Sequence, residues 1–221
     1  MKVAVIVAME SEFSMLHKLL GDSDKGRVGG NDVTLTRCGM GKVNAAIGAT
    51  SLIKDEAPDC IISTGVAGGI SHDVKAMDVV VADEIVYHDV WCGEGNEYGQ
   101  VQGFPPRFTT DRKLFAVAKE LSADGLSIHG GLLASGDYFI TTMREAGRIR
   151  SYFPKVLAVD MESGALAQVC HRFAVPFISF RLISDAAGDD HQSAYDNFWE
   201  TVGVHSFHII REFLLNLPTS L

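Results

Sequence analysis

Short apolar runs rich in β-branched residues alternate with longer segments of helical periodicity, and this alternation limits the possible folds. The runs predict strands at residues 2–8, 60–64, 78–87, 130–135, 155–159 and 176–184. Several are apolar at consecutive positions, which is typical of strands buried on both faces. The intervening segments predict helices at about 10–20, 42–54, 111–123, 142–150, 161–173 and 193–216. The alternation favours an α/β fold with substantial parallel strand content and helices on both faces of the sheet.

The chain has no internal repeat and no linker-like segment, so we expect one domain spanning residues 1–221. A single α/β domain of 221 residues is long enough to bury a substantial core. The segment 88–110 lacks a clean period and predicts an excursion at the surface or part of an interface.

The formal net charge of −9 argues against nucleic acid or an anionic membrane as partner, because both require clustered Lys and Arg. A small-molecule partner is more natural. The four cysteines lack the spacing of metal ligands, so we expect no metal. The opening MKVAVIVAMESEF fits a first strand better than a leader, and no apolar run has the length of a membrane span. We therefore expect a cytoplasmic protein.

Acidic residues follow three of the predicted strands directly. Glu10 and Glu12 follow the first, Asp160 and Glu162 the fifth, and Asp185 the sixth. Ligands of open α/β sheets bind beyond the carboxyl ends of strands, so these acids are candidates for chemistry. The alternative for each is an acid in the first turn of a helix, where the helix dipole favours it. That alternative is strongest for Glu10 and Asp160, and weaker for Asp185.

Two further stretches lie after strands. GVAGG at 65–69 predicts a loop whose backbone N–H groups can approach a ligand, although it matches neither GxGxxG nor a P-loop. The aromatic residues of SGDYFITT at 135–142 either stack on a planar base or belong to the core, and the core is favoured. No GxSxG or HExxH motif is present, which disfavours a serine hydrolase and a zinc protease.

Seven motifs together resemble one family, the 5'-methylthioadenosine/S-adenosylhomocysteine nucleosidases of the purine nucleoside phosphorylase superfamily. They are AMESE (8–12), CGMGKVNAA (38–46), STGVAGGI (63–70), DEIVYHD (83–89), SGDYFI (135–140), VDMESGALAQVC (159–170) and RLISDAAG (181–188). The resemblance implies a three-layer sandwich with a central mixed, largely parallel sheet. It also implies hydrolysis of the N-glycosidic bond of both thioethers to adenine and a thioribose, no cofactor, and a homodimer.

The resemblance assigns roles to individual residues. Asp185 would protonate purine N7, Glu12 would activate the attacking water, and Glu162 would bind the ribose hydroxyls beside Met161. The remaining candidates are Phe139 stacking on adenine, the Ile140 backbone at the base edge, Ser184 supporting Asp185, Met9 and Tyr195 at the alkylthio end, and Pro105 contributed by the neighbouring subunit.

Two departures from the family pattern bear on the alternatives. Val66 stands where many members carry a serine, and valine cannot hydrogen-bond to a sugar or phosphate through its side chain. Asp160 replaces the more usual glutamate before Met161. The alternatives are another purine nucleosidase of the futalosine type, a purine nucleoside phosphorylase, or an inactive nucleoside-binding module. The valine disfavours the phosphorylase, and the three acids disfavour the inactive module.

Overall fold

The computed structural model describes residues 1–122, 126–185, 208–218 and 220–221, and for Asp185 the backbone alone. Within these ranges the strands are β1 Lys2–Val7, β2 Lys25–Val28, β3 Asn31–Arg37, β4 Cys60–Gly69, β5 Val79–Tyr87, β6 Phe108–Thr109, β7 Ile128–Ser135, β8 Val156–Asp160 and β9 Phe177–Asp185. The helices are α1 Glu10–Leu19, α2 Lys42–Glu56, α3 Arg112–Lys119, α4 Met143–Tyr152 and α5 Ser163–Phe173, and residues 208–216 are also helical.

One mixed sheet contains all nine of these strands, in the order β2-β3-β1-β4-β8-β7-β5-β6, with β9 pairing with both β4 and β5. β1 is parallel to β3 and β4, β4 to β9, and β7 to β5 and β8. The pairs β2–β3, β4–β8, β5–β6 and β5–β9 are antiparallel. The pairings β4–β9–β5–β7–β8–β4 form a closed ring. The predicted mixed, largely parallel sheet is confirmed.

Helices cover both faces of the sheet. Val3, Val5 and Val7 of β1 pack in a cluster with α1, α3 and residues 208–216. Ala4 and Ile6 of the same strand pack in a second cluster with α2 and α5. Because successive strand side chains point to opposite faces, β1 is apolar at consecutive positions. The three-layer arrangement follows from this double burial.

The prediction of a loop at GVAGG was wrong, because β4 runs on through Gly69. β9 pairs with β4 from Ile61 to Gly68, and a register shift between Ala67 and Gly68 absorbs the local bend. Periodicity also missed β2 and β6, since short edge strands carry little apolar signal. It missed β3 as well, a seven-residue strand between β2 and β1 in which Val33 and Leu35 alternate with polar residues. The predicted last helix is confirmed only at 208–216, because 193–207 lies outside the described residues.

The segment 88–110 contains no helix, and its one strand is the two-residue β6. Its inner side is fixed by stacking of Tyr98 on Tyr152, with ring centroids 3.9 Å apart. Trp91 is exposed. The segment therefore covers the β5 and α4 side of the molecule as an irregular chain.

Candidate active site

A cleft opens where the carboxyl end of β4 meets β8. It encloses about 680 Å³ counting its open mouth. Its lining residues are Ala8, Met9, Glu12, Met40, Val66, Ala67, Gly68, Tyr138, Phe139, Ile140, Val159, Asp160, Met161, Glu162 and Ser184. Eight of the predicted site residues are among them: Met9, Glu12, Val66, Phe139, Ile140, Met161, Glu162 and Ser184.

Three predicted site residues stand apart from that set. The backbone of Asp185 pairs with Gly68 directly after Ser184, which places the residue at the cleft, and its side chain lies outside the described part of the chain. Tyr195 also lies outside the described residues. Pro105 is half-buried and does not line the cleft of its own chain.

Glu12 is a buried carboxylate in the first turn of α1. Its Oε2 accepts the N–H groups of Ala8 at 3.1 Å and Met9 at 3.0 Å, and its Oε1 accepts the N–H of Val66 at 3.1 Å. Burial raises the pKa of Glu12 above its ordinary value, and the Met9 N–H and the charge of Arg181 oppose that rise. Glu12 is thus fixed in position and predisposed to take up a proton.

Gly65 makes this position of Glu12 possible. A Cβ atom on Gly65 would lie 2.5 Å from Oε1 of Glu12, which is closer than atoms in contact can approach. The glycine-rich stretch therefore admits a close backbone approach, as its composition indicated. The group approached in the structure is the Glu12 carboxylate, through the Val66 N–H.

Glu162 lies between β8 and α5 and faces the same cleft. Its Oε1 accepts the N–H of Gly41 at 2.8 Å, at the start of α2. Burial and then the nearby charge of Asp160 raise the pKa of Glu162 to about 7, against the opposing effects of Arg181 and the Gly41 N–H. Two buried carboxylates on different elements therefore face one cavity, in environments that favour the neutral form of each.

A buried ion pair behind the two glutamates was missed by the sequence reasoning. Arg181 donates from Nε to Asp160 Oδ2 at 2.7 Å, from Nη2 to Ser63 at 2.8 Å and from Nη1 to the Phe180 carbonyl at 3.0 Å. Asp160 also accepts the Ser163 N–H, which shapes the turn that presents Glu162. A charged residue inside the apolar run PFISFRLIS was the available signal, since a buried arginine needs a partner.

The aromatic pair at the cleft mouth corrects one expectation. Tyr138 is 56% exposed and Phe139 is 49% exposed, so the favoured assignment of these rings to the core was wrong. Tyr138 donates its hydroxyl to Glu145 at 2.8 Å, and Phe139 lines the cavity. A ring at the rim of a cleft is placed to stack on a flat ligand.

Protonation of Glu162 should make folding stability pH-dependent. Because its pKa rises from 4.5 to about 7 on folding, the folded chain holds a proton that the unfolded chain has released between these values. This contribution to the free energy of unfolding is present below pH 4.5 and is lost as the pH rises through about 7. We expect Glu162→Gln, which stays neutral, to be more stable than wild type at pH 8 by on the order of 1 to 3 kcal/mol, and to differ little at pH 5. Urea unfolding at both pH values measures this.

The matched control is Glu10→Gln, which removes an exposed carboxylate of α1 that pairs with Arg37 at 2.8 Å. It should change stability equally at both pH values. An equal pH dependence in wild type and Glu162→Gln would contradict the assignment.

Neither metal ligation nor membrane crossing is supported in the described ranges. No group of three His, Cys, Asp or Glu residues there is arranged to hold a metal ion. The helices in the same ranges lack the combination of length and apolar character that a bilayer span requires.

Comparison with known proteins gives matches over nearly the whole chain. The phosphorylase superfamily profile matches residues 2–215. A 5'-methylthioadenosine/S-adenosylhomocysteine nucleosidase of Geobacillus thermodenitrificans is 38% identical, with 97% of this chain and 96% of the relative covered.

Solved structures agree with that match. The Neisseria meningitidis nucleosidase in complex with methylthio-immucillin-A superposes with a TM-score of 0.93 at 35% identity, covering 98% of this chain and 99% of the other. The Colwellia psychrerythraea nucleosidase in complex with adenine gives 0.94 at 33% identity, covering 100% and 97%. A futalosine hydrolase mutant of Helicobacter pylori gives 0.90 at 27% identity, covering 98% and 99%.

Proposed function

The chain belongs to the phosphorylase superfamily, and from that premise we propose that it hydrolyses the N-glycosidic bond of 5'-methylthioadenosine and S-adenosylhomocysteine, releasing adenine. The observation that carries the proposal is the pair of buried carboxylates, Glu12 and Glu162, facing one cleft with Phe139 at its rim. The relatives bearing the name of this activity match over almost their whole length.

The proposed reaction divides work among three acids. Glu12 accepts a proton from the water that attacks C1' of the ribose. Asp185 donates a proton to N7 of the purine as the C1'–N9 bond breaks and its electron pair leaves with adenine. Glu162 accepts hydrogen bonds from the ribose hydroxyls. Burial supports the first role, because a carboxylate with a raised pKa is a better base near neutral pH.

Attack by phosphate is disfavoured because donors near the cleft are already engaged. A phosphate dianion needs several hydrogen-bond donors, and the Val66 N–H is already donated to Glu12. Arg181, a potential anion ligand, donates to Asp160, Ser63 and Phe180. Water, which carries no charge, fits this environment better.

A second candidate is hydrolysis of a futalosine-type nucleoside, which the likeness to the Helicobacter pylori enzyme favours. Both candidates share the bond broken and differ in the base and the 5' substituent. Met9 and Met40 give the cleft an apolar portion suited to a thioether, and we propose that Tyr195 completes it.

We also propose a homodimer, in which Pro105 of each subunit reaches the other's alkylthio pocket. Next to the cleft, Met40, Val43 and Ile47 are 60%, 68% and 61% exposed, and together they form an apolar surface that a second copy would cover. Light scattering should give twice the chain mass. The cytoplasmic location remains a prediction.

Release of adenine tests the activity directly. Purified protein should release adenine from both thioethers at the same rate with and without phosphate, and the sugar product should be the free thioribose. Inosine and futalosine in the same panel separate the second candidate. No release from any nucleoside, or a rate that requires phosphate, would contradict hydrolysis.

A further inference from the structure

The amino end of α2 holds two carboxylates that come from different loops. The N–H of Gly41 donates to Glu162 Oε1 at 2.8 Å, and the N–H of Lys42 donates to Asp137 Oδ1 at 2.7 Å. Such N–H groups have no partner inside the helix, and the helix dipole favours negative charge beside them. The amino end of α2 thus fixes both Glu162, the residue proposed to bind the sugar, and the start of the loop that carries Phe139.

Asp137 is held a second time through its own backbone. Its N–H donates to Asp89 Oδ2 at 2.8 Å, and the same oxygen accepts Lys42 Nζ at 2.7 Å. The side chains of Lys42 and Asp89 are only 25% and 23% exposed, so solvent screens this pair less than a surface pair. Lys42, Asp89 and Asp137 therefore form a closed set of contacts, here called the clasp.

The backbone of Gly41 is adapted to the clasp. Gly41 has φ +88°, a conformation that L side chains rarely adopt, and a Cβ there would lie 2.9 Å from Asp137 Oδ1. A side chain at this position would therefore collide with the carboxylate.

Hydrogen bonds fix both ends of the loop between Asp137 and α4, and Ile140 packs against a core cluster between them. Tyr138 and Phe139 are largely exposed, while Glu145 accepts the N–H groups of Thr141 and Thr142 at 3.1 Å at the far end. The clasp provides the corresponding attachment at the near end. Without it, the nearest hydrogen bond on that side is the one from the Gly136 N–H to the Asp160 carbonyl at 3.0 Å, and Asp137 itself loses its attachment.

We propose that Asp137, held by Lys42 and Asp89, is a positioning residue. It sets the distance between the Phe139 ring and Glu162, so that the site binds the base and the ribose at the same time. The inference rests on the proposed function, since it assigns Phe139 to the base and Glu162 to the sugar. Asp137 itself takes no part in the chemistry.

The test compares Asp137→Ala with two other variants. In this variant the loop is no longer held before binding, so ordering it costs free energy when the substrate binds. KM for methylthioadenosine should therefore rise about tenfold, while kcat falls less than about threefold. Asp137→Asn keeps an oxygen acceptor for the Lys42 N–H and should restore most of the affinity. The control is Asp111→Ala, which removes a carboxylate accepting two N–H groups at the start of α3, at 2.9 and 3.0 Å, and should leave KM unchanged.

Two further measurements separate positioning from helix capping. Asp89→Ala combined with Asp137→Ala should raise KM by less than the product of the single effects, because both act through one clasp. Amide hydrogen exchange at residues 138–142 should quicken in Asp137→Ala and stay unchanged in Asp111→Ala. Unchanged KM and unchanged exchange, with stability lost as in Asp111→Ala, would overturn the proposal. Wild-type protein that cleaves no nucleoside would refute the proposed function, and the exchange comparison would still decide whether the clasp holds the loop.

Discussion

Glu12→Gln should lower the turnover of methylthioadenosine by about 10² to 10⁴, the usual contribution of a general base. The amide cannot accept a proton from water. It also has one oxygen where the carboxylate has two acceptors, so its NH₂ group would face a backbone donor, either Val66 or the Ala8 and Met9 pair. Steady-state kinetics measures the loss, and calorimetric titration with adenine should show that base binding survives. Turnover close to wild type would remove Glu12 from the role of base.

Gly65→Ala tests the same carboxylate while leaving its charge in place. The added methyl group would lie 2.5 Å from Oε1, so Glu12 has to move, and a displacement of about 1 Å is worth roughly 10² in rate. Gly147→Ala is the matched control, because a Cβ there meets no atom within 4 Å in the middle of α4. That control should keep full turnover and gain up to about 1 kcal/mol of stability.

Asp185→Asn should also lower turnover of methylthioadenosine by about 10² to 10⁴, through loss of the proton given to N7. Asparagine can still hydrogen-bond to the purine, so adenine binding should weaken much less than turnover. The acid role makes a sharper prediction with a synthetic substrate, the 4-nitrophenyl glycoside of 5-methylthioribose, whose leaving group departs without a proton. On that substrate Asp185→Asn should approach wild-type turnover.

The roles of the two acids can be distinguished by assaying both variants on both substrates. Glu12→Gln should be impaired on both, because water attacks C1' in each case. An Asp185→Asn variant equally impaired on both substrates would show that Asp185 acts on something other than the leaving group.

The acids of the site could be predicted because their positions follow from chain order. Glu12 and Glu162 come shortly after β1 and β8. β1 is parallel to β4, and the carboxyl end of β4 pairs with the carboxyl end of β8, so both acids reach the same region of the sheet. The motif resemblance then assigned the catalytic role to Glu12 and not to Glu10. Glu10 lies two residues earlier in the same helical turn and pairs with Arg37 at the surface. Local pattern alone favoured the helix-capping explanation for both.

The supporting contacts could not be predicted, because they join residues distant in sequence. Gly41 meets Glu162 across 121 positions, and Arg181 meets Ser63 across 118. The spacing of apolar residues along the sequence carries no information about such pairs. The exposure of Phe139 was missed for a related reason, since an aromatic residue after a strand has the same local pattern whether a helix covers it or a cleft opens beside it.

The closed ring of five strands also bears on how copies of this chain can associate. In the described residues, β2 and β6 are the strands that end the sheet, with four and two residues, and β2 carries Lys25 and Arg27. Short or cationic edges are poor templates for intermolecular strand addition and so protect against aggregation. We therefore expect a second copy to join without extending the sheet, so that the sheet hydrogen bonds that shape the cleft stay within each subunit.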